Sequence, residues 1–80
     1  MKTREQLLEV FKKQFSVSDV NGLGLSFEDL RMGAIEDWDS LGNLNLLLEI
    51  ENEFSVRFTT DELSSIDSLV QLEKYLSSGR

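Results

Sequence analysis

Asp39-Ser40-Leu41-Gly42-Asn43-Leu44-Asn45-Leu46-Leu47-Leu48-Glu49-Ile50-Glu51-Asn52-Glu53-Phe54 is the longest apolar-periodic stretch of the chain. At about 100° per residue, Leu47, Ile50 and Phe54 fall on one helical face. Leu41, Leu44 and Leu48 fall on a second face roughly 140° away. The spacing predicts a helix from Ser40 or Leu41 to Phe54. One apolar face must bury against the rest of the chain. The other either meets a neighbouring element or stays exposed as a docking patch rimmed by acids.

The flanking sequence predicts three further helices. Leu7, Leu8, Phe11 and Phe15 recur at helical spacing, so a first helix is expected from about Arg4 to Phe15. Thr3 and Gln6 have capping-box spacing at its start. Ser16 to Trp38 is a long connection for so small a chain, punctuated by Gly22, Gly24 and Gly33. Its Leu25, Phe27, Leu30, Met32 and Ile35 predict that it packs onto the core, with a single helical turn starting at Ser26-Phe27-Glu28-Asp29. Thr59-Thr60-Asp61-Glu62 reads as a cap with acids in the first turn of a brief third helix. A last helix is expected from near Asp67-Ser68 to near Leu76, with Leu69, Leu72 and Leu76 as its stripe. There is no Pro and no strand-like alternation. The expected class is all-α: residues 1–80 as a single domain, a small four-helix bundle of three longer helices and one short.

Composition narrows the function. The chain has 80 residues, no Cys and no His, so no disulfide or thiolate or imidazole zinc site is available. No EF-hand spacing appears either, and no metal site is expected. A hydrophobic content of 40% supports a packed fold rather than a disordered tail. Net charge is −7, and its distribution is uneven. From Gln14 to Val56 one base, Arg31, stands against nine acids. This argues against nucleic acid or an anionic membrane as partner, and favours a partner with a basic surface. No apolar run reaches signal-peptide or membrane-spanning length, so the cytoplasm is the default compartment.

The tripeptide Asp-Ser-Leu occurs twice, at Asp39-Ser40-Leu41 and Asp67-Ser68-Leu69. Before an apolar run it is first of all a helix N-cap, because either side chain can accept from the free N–H groups of the first turn. Ser68 is read as a cap. Ser40 also sits at the end of a long loop, beside a carboxylate and an apolar patch. A serine nucleophile needs an adjacent base, and His is the usual one. With none in the chain, an enzyme is not expected, and chemistry at Ser40 would be done to it by another protein.

Trp38 through Phe54, with its Asp-Ser-Leu serine opening a helix that ends in an acidic run before Phe, resembles the acyl carrier protein family at its phosphopantetheine site. The likeness extends over nearly the whole chain, through the Val56-Arg57-Phe58 connector, the short acid-capped third helix, Ile66, and the closing Tyr75-Leu76. It implies that Ser40, preceded by Asp39, carries 4′-phosphopantetheine in a phosphodiester bond. The arm's thiol would hold acyl cargo as a thioester. It also implies a recognition helix with Leu41, Leu44 and Leu48, and Glu49, Glu51 and Glu53 nearby, whose partner-binding face is Leu41, Leu44, Leu48, Glu49 and Glu53. The partners would be a phosphopantetheinyl transferase and an acyl or aminoacyl ligase or acyltransferase with a basic docking surface, served by a monomeric carrier.

The chain departs from the family's fatty-acid carriers at Gly42, where they place an acid, and at Trp38, where they place a small residue. Asn43, Asn45 and Asn52 dilute the negative face. These departures resemble specialised stand-alone carriers outside bulk fatty-acid synthesis. Gly42 with Leu46-Leu47-Leu48-Glu49 is also similar to the D-alanyl carriers of teichoic acid modification. The alternative is a carrier-like helical adaptor that works by protein contact and takes no arm.

Overall fold

The computed structural model describes residues 2–77. It contains four α-helices: α1 (Lys2–Phe15), α2 (Ser40–Phe54), α3 (Thr60–Ser65) and α4 (Leu69–Ser77). Two 3-10 turns, Val20–Leu23 and Phe27–Asp29, lie in the long connection between α1 and α2. Among the described residues there is no strand, only an isolated antiparallel bridge between Arg31 and Ser68. The chain is a small all-α bundle.

The helix starts follow local chemistry. Asp39 caps α2, its side chain accepting from the Gly42 N–H. Thr59 and Glu62 form a reciprocal capping box on α3: Thr59 Oγ1 accepts from Glu62 N at 3.1 Å, and Glu62 Oε1 accepts from Thr59 N at 2.8 Å. Asp29 holds the start of the second 3-10 turn, which the sequence located correctly: its Oδ2 accepts from the Ser26 N–H at 3.1 Å and from the Ser26 hydroxyl at 3.0 Å. The expected cap at Thr3 is not found, because α1 already includes Thr3.

Both long helices stop on the same tripeptide. Phe15-Ser16-Val17 ends α1 and Phe54-Ser55-Val56 ends α2, and each serine adopts φ 55° in the left-handed region. The Val17 N–H then reaches the Lys12 carbonyl at 2.9 Å and the Val56 N–H the Glu51 carbonyl at 3.1 Å. These long-reach bonds satisfy carbonyls that the helix end leaves open. Neither serine side chain hydrogen-bonds among the described residues, and both are exposed. Left-handed geometry costs an L-residue about 1–2 kcal/mol, while glycine costs about 0.5–1 kcal/mol of extra chain entropy. Ser16→Gly and Ser55→Gly should therefore each stabilise the protein, by up to about 1 kcal/mol. Urea melts would read the gain as a raised midpoint at constant slope. A lowered midpoint would show that the serines contribute something beyond the turn.

One core joins the elements. Leu7, Phe11, Leu46, Leu47, Ile50, Leu69 and Leu72 are buried, along with Leu30 and Trp38 from the connection. The sequence left open whether α2 is surrounded by its neighbours or exposed on one face. In the structure α1 is the helix packed closely on both α2 and α4. Phe11 and Phe15 of α1 each hold their ring centroid 5.4 Å from that of Trp38. The long connection is thereby tied to the core, as its apolar residues predict.

At the opposite edge, Arg4 joins α1 to α4. Its guanidinium donates to both oxygens of Glu73, at 3.0 and 2.9 Å, and lies 4.1 Å above the Phe27 ring. The Arg4 hydrogen bond holds the Glu73 carboxyl below the usual carboxylate range. At the far end of α2, Glu51 Oε2 accepts from the Phe58 N–H at 2.6 Å and fixes the Val56-Arg57-Phe58 connector.

Candidate functional site

Ser40 is the first residue of α2, and the chain reaches it through a segment pinned from below. Gly33, at φ 94°, donates its N–H to the Trp38 carbonyl at 2.8 Å and closes the turn that precedes it. The Trp38 side chain is fully buried. One residue later Asp39 turns outward and caps the helix, its Oδ1 2.8 Å from the Gly42 nitrogen. Capping is thus already done by Asp39. The Ser40 hydroxyl has no hydrogen-bond partner among the described residues, and the residue is exposed.

The second Asp-Ser-Leu sits in a different register. There the serine is the cap: Ser68 Oγ accepts from the Gln71 N–H at 3.2 Å, and its hydroxyl donates to Gln71 Oε1 at 3.1 Å. Gln71 Oε1 also accepts from the Asp67 N–H at 2.8 Å. Ser68 is half-buried and its hydroxyl is engaged. The distinction has a sequence signal. Ser68-x-x-Gln71 has capping-box spacing, whereas the residue three beyond Ser40 is Asn43, which turns inward. The reading of Ser68 as a structural cap stands.

The outward face of α2 beside Ser40 is apolar and uncovered. Leu41 is 67% exposed, Leu44 38% and Leu48 46%. Glu49 and Glu53 are exposed along its edge and share a surface depression with Val10, Lys13 and Gln14 of α1. Asn45 and Asn52 are exposed as well. Helical spacing sets them in line with Leu41 and Leu48. A second depression, of about 320 Å³, lies between the end of α1 and the start of α2, lined by Phe15, Asp37, Asp39, Leu41, Gly42 and neighbours.

Two expectations about this face are corrected. Asn43 does not dilute a negative surface, because it is only 6% exposed. Its side chain accepts from Trp38 Nε1 at 2.9 Å and donates to the Ile66 carbonyl at 2.8 Å. Gly42 is not simply a missing acid. A Cβ there would run into the Asp37 carbonyl oxygen and stand 3.2 Å from the Phe15 ring. The residue is glycine because the backbone of the preceding loop passes against it. Sequence reasoning also left Leu46 unassigned, and it is fully buried beside Leu47.

Among the described residues no helix is long and apolar enough to cross a membrane. Comparison with protein-family models, with curated proteins and with solved structures gives no match to this chain.

Proposed function

We propose that this protein is an acyl carrier: Ser40 accepts a 4′-phosphopantetheine arm, and the exposed start of α2 presents it to partner enzymes. The observation that carries the reading is the contrast between the two serines. One identical tripeptide leaves Ser68 bonded as a cap and Ser40 exposed with its hydroxyl unengaged. The surroundings of Ser40 fit the group, with an open hydroxyl, a depression of about 320 Å³ lined by its chain neighbours Asp39 and Leu41, and exposed leucines along the helix that follows.

When bound, the arm would supply a terminal thiol that holds acyl cargo as a thioester. The chain's own part is to present Ser40 Oγ. That oxygen would form the phosphodiester as the pyrophosphate bond of coenzyme A breaks and the nucleotide leaves. No His is available to take the hydroxyl proton, so the transferase must supply the base. Leu41, Leu44 and Leu48 would fill an apolar patch on the partner, with Glu49 and Glu53 meeting its basic rim. On the surface charge of α2, a specialised cargo now rests on Asn45 and Asn52, since Trp38, Gly42 and Asn43 have packing roles.

Intact-mass measurement after coexpression with a broad-specificity phosphopantetheinyl transferase tests the reading. A single added arm is expected. An unmodified mass would favour the adaptor reading, in which the same leucine face binds a protein and Ser40 takes nothing.

The acids make a separate prediction. Glu49→Lys and Glu53→Lys should each slow arm transfer at low salt and flatten its salt dependence, because exposed charges act mainly on encounter rate. Stopped-flow transfer rates across a salt series would decide it. Unchanged rates at low salt would remove these two residues from the docking face.

A further inference from the structure

Asn43 is a polar side chain placed where the core would accept a leucine. It lies 6% exposed between Trp38 and Ile66, which are themselves buried. Burying an amide is costly unless it is fully bonded, and such groups are kept where they specify one arrangement. Its two bonds reach residues five and twenty-three positions away in the chain, Trp38 and Ile66. The next residue after Ile66 extends the pattern, since the Asp67 carbonyl accepts from the Met32 N–H at 2.7 Å. Gly33, beside Met32, bonds back to the Trp38 carbonyl at 2.8 Å. The circuit is closed: Asn43 to Ile66-Asp67, across to Met32-Gly33, on to Trp38, and back to Asn43. It joins three segments that share no helix.

Ser40 lies in the chain between two members of this ring, two residues beyond Trp38 and three before Asn43. We propose that Asn43 is the positioning residue of the Ser40 site, its buried amide closing a hydrogen-bonded ring that fixes how the chain presents the hydroxyl. The inference rests on the reading of Ser40 as the acceptor wherever transfer is measured. Asn43 itself touches neither arm nor partner.

A positioning role separates from a structural one in kinetics. In Asn43→Leu the docking residues of α2 are unchanged, so the transferase KM should hold while kcat falls by roughly tenfold or more, as misplacement of a reacting group predicts. The double variant Trp38→Phe/Asn43→Leu removes the Trp38 N–H together with its acceptor, so that only the Ile66 carbonyl is left without its donor, and it should lose kcat to a similar degree. Leu72→Val, a core variant on α4, should leave both constants unchanged at temperatures where all variants are fully folded. A wild-type kcat in either Asn43 variant, or an equal loss in Leu72→Val, would overturn the proposal. If the wild-type protein takes no arm, the carrier reading fails, and amide hydrogen exchange judges the ring alone. The proposal then requires exchange at residues 42 and 43 to quicken by roughly tenfold in Asn43→Leu relative to the middle of α1. A uniform change in both regions would overturn it.

Discussion

Ser40→Ala is expected to abolish arm attachment while leaving stability within about 0.5 kcal/mol of wild type, and Ser68→Ala is expected to do the reverse. The two serines share their neighbours in sequence and differ in what their hydroxyls do. At Ser40 the cap belongs to Asp39, so removing an exposed, unbonded hydroxyl changes little in the fold. At Ser68 the hydroxyl holds the Gln71 N–H and side chain, so its removal exposes an uncapped helix start. Loss of such a cap costs about 1 kcal/mol. Chemical denaturation of the two variants, run beside transferase assays, reads both effects. A Ser40→Ala protein that still gains an arm would remove the site from this residue. A Ser68→Ala protein that neither loses stability nor changes otherwise would contradict the cap.

The second large effect is expected at Gly42, and its sign is the informative part. At an ordinary helix position glycine to alanine gains about 1 kcal/mol. At Gly42 the new methyl would collide with the Asp37 carbonyl oxygen, and that oxygen is backbone, so it cannot swing aside. Overpacking of this kind costs about 1–3 kcal/mol, and Gly42→Ala should be net destabilising by about 1–2 kcal/mol. The strain would fall on Asp37-Trp38-Asp39, the segment that delivers Ser40. Gly42→Asp would suffer the same clash, so restoring an acid there does not test charge. Asn45→Asp does, because Asn45 is exposed, and its stability should stay within about 0.5 kcal/mol of wild type. If Gly42→Ala proves stabilising in urea melts, the loop does not press on the helix as described.

How much of this was legible in the sequence depended on how local each signal was. The span Ser40–Phe54 for α2 follows from one cap and an unbroken apolar period, and the structure has the same limits. The start of α3 follows from Thr59 and Glu62, which satisfy each other three residues apart. The exposure of Leu44 and Leu48 was one of two readings left open by periodicity, and the packing of α1 against the opposite side of α2 decides it. Other features depend on distant partners. Asn43 reads as a surface amide until Ile66 is brought beneath it, twenty-three residues on. Gly42 reads as a lost charge until the Asp37 carbonyl lies against it. The helix stops escaped notice because serine, rather than glycine, fills the left-handed position, although Phe-Ser-Val occurs twice. The first 3-10 turn, Val20–Leu23, had a readable start in Asp19, whose side chain accepts from the Asn21 N–H, and a readable end in Gly24 at φ 72°.

Within the candidate site, the structure leaves the Ser40 hydroxyl exposed and unengaged, and the neighbours of Ser40 were partly misread from sequence. Ser40, Asp39 and the exposed leucines lie together at the start of α2. What the sequence could not supply was the reason for Ser40's availability. That reason is the cap register, one residue earlier at α2 than at α4, and it depends on whether Asp or Ser holds the first-turn N–H.

The most direct test of the account is to incubate the wild-type apo protein with coenzyme A and a phosphopantetheinyl transferase, then map the modified peptide by fragmentation. The account predicts one arm per chain, on Ser40 alone. An arm on Ser68, or no arm on either serine, would contradict it.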